Sequence, residues 1–293
     1  MNQLLVIMIN YDSSECTFEC VESLKKSSNK NFHIFIIDNN SSDTEKNKLR
    51  LLDEKFITIY YSKSNLGFSG ANNIGINYAI ENDYSDILLL NNDTIVPQNF
   101  IDNLFDARKR YGNVVISPQI REYDNPLTIS YAGGYISKIK GAVYIEGFGK
   151  KIDEIENKDK LITFAHGCCM LIPVSIIKKI GTMPEHYFLY FEDTAYSMRI
   201  LNAGFKILYL SNTYILHKEC ASTKKFSDNY QYYYLRNRLL FQKEYLNGLY
   251  RGIAFLYTFL FTIKALVVKK FNYKNCLDAY KDYFRKRFGR RLT

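Results

Sequence analysis

His33-Ile34-Phe35-Ile36-Ile37, followed at once by Asp38-Asn39-Asn40-Ser41-Ser42-Asp43, is the stretch on which the fold turns. Four apolar positions follow His33 without alternation, as in a strand buried on both faces of a parallel sheet. The run then stops dead in six polar residues, and Ser42 or Asp43 can cap a helix running through residue 52. The same grammar repeats on either side. Upstream, residues 4–9 (LLVIMI) end at Asn10-Tyr11-Asp12, and a helical pattern over 15–26 puts Phe18, Val21 and Leu24 on one face. Downstream, residues 56–60 read as a third strand. Asn65-Leu66-Gly67-Phe68-Ser69-Gly70 reads as a turn into a helix from 71 to 81, and residues 86–90 (DILLL) close in Asn91-Asn92-Asp93.

Such alternation of strand and helix predicts an α/β domain on a parallel, Rossmann-like sheet with right-handed crossovers. Every polar cluster falls where a strand ends. Ligands of open α/β sheets bind outside those carboxyl ends, so Asp12, Asp38 and Asp93 are expected to converge on one crevice. The second half is less regular. It predicts strands at 114–118 and within 131–144 around Gly133-Gly134, a charged exposed loop over 151–160, and an apolar strand over 164–172. A helix over 174–180 ends at Gly181, and another over 193–203 has Gly204 just past it. Strands at 206–210 and 213–216 follow. No repeat or long linker interrupts residues 1–245, which read as one catalytic domain with a division near 118. Residues 246–293 form a helical, basic extension.

Net charge is +9, but it is concentrated. From Lys264 onward ten Lys/Arg face two acids, a surplus of eight, which leaves the preceding 263 residues at +1. A nucleic-acid-binding core would carry its positive face over the folded domain, so that class is excluded. The six cysteines (16, 20, 168, 169, 220, 276) include no C-x-x-C pair, which suits neither a disulfide framework nor a zinc site. Reduced, buried thiols in a cytoplasmic protein are expected. Met1-Asn2-Gln3 carries no basic leader, and the apolar run after it is too short for a signal peptide. Residues 252–268 (GIAFLYTFLFTIKALVV) fall short of the ~20 needed to span a bilayer and contain Lys264. With Arg251 before them and Lys269-Lys270 and the basic residues of 285–291 after, they fit the surface of an anionic membrane. A helix packed on the core, or against a second copy in a homodimer, is the plainer alternative.

Four segments carry chemistry. Asp38 can accept hydrogen bonds from a nucleobase imide or ribose hydroxyl, or simply form a turn. Residues 65–73 match neither the phosphate loop of kinases nor G-x-G-x-x-G, and place Asn72 and Asn73 at a helix start whose free N–H groups can face a phosphate. Asn91-Asn92-Asp93 offers one carboxylate for a divalent cation that would neutralise a diphosphate leaving group. Glu192-Asp193 follows the aromatic run Tyr187, Phe188, Tyr190, Phe191. One of the two can take a proton from an attacking hydroxyl, or merely cap the helix beginning there.

In this order, together with Gly167-Cys168-Cys169-Met170, His217 and the helix start at Tyr234-Leu235-Arg236-Asn237-Arg238, these segments resemble glycosyltransferase family 2. They are most similar to its bacterial rhamnosyltransferase-like branch, over residues 4–240. The resemblance implies a GT-A fold, with nucleotide-sugar binding over 1–118 and acceptor binding over 119–245. It implies inverting transfer from a UDP- or dTDP-sugar to a lipid-linked glycan of a bacterial surface polysaccharide, at the cytoplasmic face of the membrane. It places Asp193 as base with Glu192 beside it. Asp93 and His217 would hold Mn²⁺ or Mg²⁺, and Asn10, Tyr11, Asp38, Asn65, Gly67, Asn72 and Asn91 would line the donor. Where the family carries Asp-x-Asp this chain has Asn91, which drops one charge. A non-catalytic nucleotide-sugar- or membrane-binding protein is the alternative. A sugar nucleotidyltransferase would show a Gly-rich basic loop where Asn10–Glu15 stands.

Overall fold

The computed structural model describes residues 4–218 and 227–291, so the leader reading of residues 1–3 and the thiol of Cys220 lie outside it. In the first half, β1 (Leu4–Asn10), α1 (Ser14–Lys25), β2 (Phe32–Asp38), α2 (Asp43–Leu49), β3 (Ile57–Tyr61), α3 (Gly67–Glu81) and β4 (Asp86–Leu90) realise the expected alternation. β1 pairs in parallel with both β2 and β4, and β2 with β3. β4 is buried throughout and β1 and β2 at all but one position each, which is why they read as unbroken apolar runs. α3 lies directly on β1: a Cβ on Gly75 would stand 2.7 Å from Ile7 Cγ2, so only glycine permits that approach.

β5 (Thr94–Ile95), α4 (Phe100–Tyr111), β6 (Val115–Glu122), β7 (Ile129–Tyr131), β8 (Gly134–Ser137), β9 (Ala142–Ile145), β10 (Lys160–Ile162), β11 (Cys169–Pro173), α5 (Val174–Ile180), α6 (Glu192–Asn202) and β12 (Ile207–His217) follow. The large sheet runs β10-β12-β6-β11-β4-β1-β2-β3, with β5 on β12 and β7 on β6, while β8 and β9 form a separate hairpin. β11 enters antiparallel between β4 and β6, so the sheet is mixed rather than parallel throughout. Three helices complete the chain: α7 (Asp228–Tyr245), α8 (Gly248–Val267) and α9 (Tyr273–Phe284), with α8 and α9 both packed on α7.

Several boundaries differ from expectation for physical reasons. α3 starts at Gly67 rather than at 71, because the carbonyl of Phe188 accepts the Phe68 N–H (2.8 Å) and Asn65 Oδ1 accepts the Gly67 N–H (2.9 Å). Residues 164–168 are not strand. The N–H groups of Cys168 and Cys169 both turn back onto His166, to its Nδ1 and its carbonyl (both 3.1 Å), and only from Cys169 does the chain join the sheet. The two strands expected over 206–216 are one, β12, with a register shift between Leu210 and Tyr214. Arg236 and Asn237 lie in the middle of α7, not at its start, which is capped by Ser227 accepting from the Tyr230 N–H. The cysteines at 16, 20, 168, 169 and 276 form no disulfide among the described residues, and all but Cys16 are buried.

Candidate active site

The carboxyl ends of β1, β2 and β4 are knitted together by side chains. Asn92 Nδ2 donates to Thr17 Oγ1 (2.8 Å), and Thr17 donates to Asn10 Oδ1 (2.8 Å). Asn10 Nδ2 donates in turn to Asp38 Oδ1 and to Ser41 Oγ (both 3.1 Å). Asp38 Oδ2 accepts the Ser41 N–H (3.2 Å), and Asp12 Oδ1 accepts the Ser42 N–H (2.8 Å). Asp12 and Asp38 therefore meet in one network, which Asn92, the neighbour of Asp93, joins. Asn10 and Asp38, however, are wholly buried and engaged, and they set the shape of the loop after β2. Tyr11 is 42% exposed at the same edge. Asn65 accepts from Gly67 and from Asn39 Nδ2 (3.2 Å), which fixes the turn into α3. Asn72 sits a turn and a half inside α3 and donates to the Phe68 carbonyl (3.1 Å), so it offers no free helix-end N–H.

Asp93 stands just beyond β4. The pairing of β5 with β12 sets His217 opposite Thr94, which brings His217 Nε2 within 3.2 Å of Asp93 Oδ1. This is how a separation of 124 positions is bridged. Burial works against a charge on His217. Cys168 and the Asp93 carboxylate outweigh it and hold the imidazole pKa well above its usual value. The His166 ring packs against Tyr131 and Phe164, and burial, with the His217 charge added, pushes its pKa down to about 4. The Asn91 backbone is bonded to the Cys168 carbonyl (2.9 Å) and to Thr94 Oγ1 (2.8 Å), which leaves its side-chain amide uncommitted among the described residues. With the Nε2 proton displaced, one carboxylate oxygen and one imidazole nitrogen side by side form a donor pair suited to Mn²⁺ or Mg²⁺. Among the described residues no third His, Cys, Asp or Glu joins them as a cluster.

Glu192 and Asp193 open α6. Asp193 Oδ2 accepts the Gly167 N–H (3.2 Å), and its Oδ1 accepts the Thr194 N–H (2.7 Å). Burial raises its pKa while these bonds pull it back. Gly167 comes so close that a Cβ there would lie 3.3 Å from both Asp193 Cβ and the Phe68 ring. Glu192 is buried and its Oε2 has no hydrogen-bond partner among the described residues. Burial, with the Asp193 charge beside it, raises its pKa well above the ordinary carboxylate range. The two neighbours are thus unlike: a hydrogen-bonded carboxylate and an acid held neutral.

The segment leading into them is strained. Phe188, Tyr190 and Phe191 have φ of 65°, 66° and 70°, left-handed conformations that non-glycine residues rarely adopt. Asn237, fully buried on α7, braces it: Nδ2 donates to the carbonyls of Tyr187 (2.7 Å), Leu189 (2.7 Å) and Tyr190 (2.9 Å). Arg236 adds a bond to the Tyr187 carbonyl (3.1 Å) and holds Asn237 Oδ1 (2.9 Å). Gly67, at φ 71°, supports the other side, where a Cβ would fall 2.3 Å from the Phe188 carbonyl oxygen. Sequence reasoning quoted Arg236-Asn237 without giving the pair a task, and passed over His166.

Comparison with known proteins follows this geometry. Residues 5–181 match the family model described as glycosyl transferase family 2. A low-salt glycan biosynthesis hexosyltransferase of Haloferax volcanii is 25% identical over 93% of this chain and 88% of its own. An N-acetylglucosaminyl-diphospho-decaprenol L-rhamnosyltransferase of Mycobacterium tuberculosis is 26% identical over 47% of this chain and 48% of its own. A dTDP-rhamnosyl transferase of Shigella flexneri is 23% identical over 64% and 60%. Among solved structures, GalNAc-T7 with UDP, GalNAc and Mn²⁺ superposes with a TM-score of 0.65 at 15% identity, over 84% of this chain and 49% of that one. Residues 1–349 of S. aureus TarS, in complex with UDP-GlcNAc, give 0.61 at 14% identity over 97% and 81%.

Proposed function

Because the chain belongs to glycosyl transferase family 2, we propose that it moves a sugar, with inversion, from a UDP- or dTDP-sugar to a hydroxyl of a lipid-linked glycan. That it is a glycosyltransferase with the GT-A fold follows from the family and the structural neighbours; the donor, acceptor and stereochemistry are our reading. The relatives named for rhamnosyl transfer, one of them onto a diphospho-decaprenol-linked sugar, support a polyprenyl-linked acceptor in surface-polysaccharide assembly. Such an acceptor requires an enzyme at the cytoplasmic face of the membrane, with residues 1–245 as the catalytic unit and 246–293 as its attachment.

One observation carries the mechanism: the two oxygens of the half-buried Asp193 carboxylate are oriented by the Gly167 and Thr194 N–H groups, beside Glu192, whose carboxyl burial pushes toward the neutral form. In a single displacement the acceptor oxygen attacks the anomeric carbon as the bond to the diphosphate oxygen breaks. Asp193 takes the acceptor proton. Glu192, in its neutral form, can donate a hydrogen bond to the acceptor without repelling the negative charge that Asp193 carries until it takes the proton. Asp93 and His217 would hold a divalent cation, which neutralises the departing diphosphate when bound. Tyr11, Asn65 and Asn91 face the donor, while Asn10, Asp38, Gly67 and Asn72 keep its loops in shape. The aromatic run from Tyr187 to Phe191 excludes water, and thereby hydrolysis of the donor.

A panel of UDP-, dTDP- and GDP-sugars, scored by protection against thermal unfolding with Mn²⁺ and by sugar transfer with and without EDTA, tests this. Protection by one nucleotide class and EDTA-sensitive transfer are expected. Binding without any transfer or donor hydrolysis would favour the non-catalytic alternative.

A further inference from the structure

α8 is built inside out. The stripe it turns toward the protein is small or polar: Ala254, Thr258, Thr262 and Ala265 are its buried residues. Thr258 Oγ1 accepts from Gln242 Nε2 of α7 (2.7 Å), and Thr262 Oγ1 lies 3.1 Å from the Tyr280 hydroxyl of α9. The large apolar side chains point the other way. Leu249 and Val267 are 77% and 75% exposed, and Leu256, Phe259, Leu260 and Ile263 fill the face between them. A helix on a water-facing surface shows the reverse arrangement, with its apolar stripe on the core. A contiguous exposed apolar face of this kind marks a docking surface.

Its surroundings choose the occupant. Arg251, Lys264, Lys269 and Lys270 ring the face, all exposed. At its edge the exposed Phe284 ring, packed edge-on against Phe255 of α8 at 6.4 Å, leads to a cavity of about 340 Å³ between α9 and residues 285–291. Lys281, Arg285, Arg287 and Arg290 line it together with Asp278 and Asp282, the latter 4.0 Å from Arg287. Arg291, also on its wall, is tied to Asp278 (2.7 Å). A symmetric pair of chains joined through α8 would set two such cationic rings against each other, because a two-fold interface matches a patch with itself. α8, at 20 residues, is long and apolar enough to span a bilayer, but its inner stripe is hydrogen-bonded to α7 and α9 rather than turned to lipid, which favours a helix lying on the surface.

We propose that α8 lies in the plane of an anionic bilayer, its outer face in the acyl boundary, with the basic cavity beside it holding the phosphate of a lipid headgroup. The lipid class is anionic phospholipid. The inference deepens the reading of a lipid-linked acceptor, and it is tested without any transfer reaction.

Full-length protein is sedimented with vesicles of phosphatidylcholine alone and of phosphatidylcholine mixed with phosphatidylglycerol. Binding to the anionic vesicles at least about tenfold tighter is expected, weakening with salt. Leu256→Glu with Leu260→Glu is expected to abolish it; both side chains are exposed, so folding and donor protection are retained. Arg285→Glu with Arg290→Glu is expected to remove the preference for anionic lipid. Equal binding to both vesicle types, or to neither, overturns the proposal. So does inorganic phosphate or pyrophosphate that occupies the cavity as tightly as the vesicles do, which would mean a site for a free anion. A lipid-free dimer broken by the Leu256/Leu260 pair overturns it as well. Failure of sugar transfer with vesicle binding intact would instead count against the catalytic reading alone.

Discussion

Replacing Asn237 by Ala removes three hydrogen bonds from a segment that holds three left-handed residues. Each left-handed non-glycine residue costs about 1–2 kcal/mol, so Phe188, Tyr190 and Phe191 together store roughly 3–6 kcal/mol. Each buried hydrogen bond returns about 1 kcal/mol, so the two N–H groups of the Asn237 amide, shared among three carbonyls, offset roughly 2 kcal/mol of that strain. The remainder falls to packing, chiefly Phe188 stacked on Tyr233 at 5.3 Å and Phe191 against Phe241 at 5.9 Å. With the amide gone, strain exceeds support and the turn ahead of Glu192 relaxes. A shift of about 1 Å in a catalytic group costs on the order of a hundredfold in rate. We therefore expect Asn237→Ala to lower kcat about a hundredfold, with Tm down by about 5–10 °C. The donor KM should stay within about threefold, since Asp93, His217 and Asn91 lie on other elements. Asn237→Gln, which keeps the amide, should recover part of kcat. Steady-state kinetics on folded protein decide the matter. A normal kcat with a lowered Tm would show that Asn237 only stabilises the fold and would refute the positioning argument.

Gly67→Ala places a methyl 2.3 Å from the Phe188 carbonyl oxygen at a φ of 71°; a loss of at least about 2 kcal/mol in urea unfolding is expected, and an unchanged midpoint would contradict the contact. Glu192 has a folded pKa well above its unfolded one, so its contribution to stability is complete below about 4.5 and is lost as pH rises through the folded pKa. Glu192→Gln should therefore gain on wild type as pH rises from 4.5, and urea midpoints that stay parallel across pH would rule this out. His217→Ala is expected to raise the Mn²⁺ concentration for half-maximal transfer at least about tenfold, and an unaltered metal titration would take His217 out of the metal site.

The first half of the fold was legible because its strands are buried on both faces and end in polar turns, a local pattern. Residues 86–90 were delimited to the residue, as was the helix Val174–Ile180 that Gly181 ends. What escaped depends on partners far along the chain. Gly67-Phe68-Ser69-Gly70 has poor helix propensity, yet it is helical because Asn65 and the Phe188 carbonyl receive its first N–H groups. Residues 164–168 look like strand from apolarity alone, but they bend so that Gly167 can meet Asp193. Asp93 and His217 were paired by resemblance, and the β5–β12 register supplies the physical reason. Asn237 looked like one polar residue on a helix; its role appears only against a strained turn some 50 residues away.

The central claim is that Asp193 takes the acceptor proton. Asp193→Asn keeps the side chain's shape and loses its basicity, while its one amide oxygen can still accept from Thr194 or from Gly167 but not from both. The measurement is kcat for sugar transfer beside donor affinity, both on the purified variant. Kcat should fall by about 10²–10⁴-fold with donor affinity and Tm close to wild type. Transfer within about tenfold of wild type, or a loss explained entirely by unfolding of α6, would contradict the account.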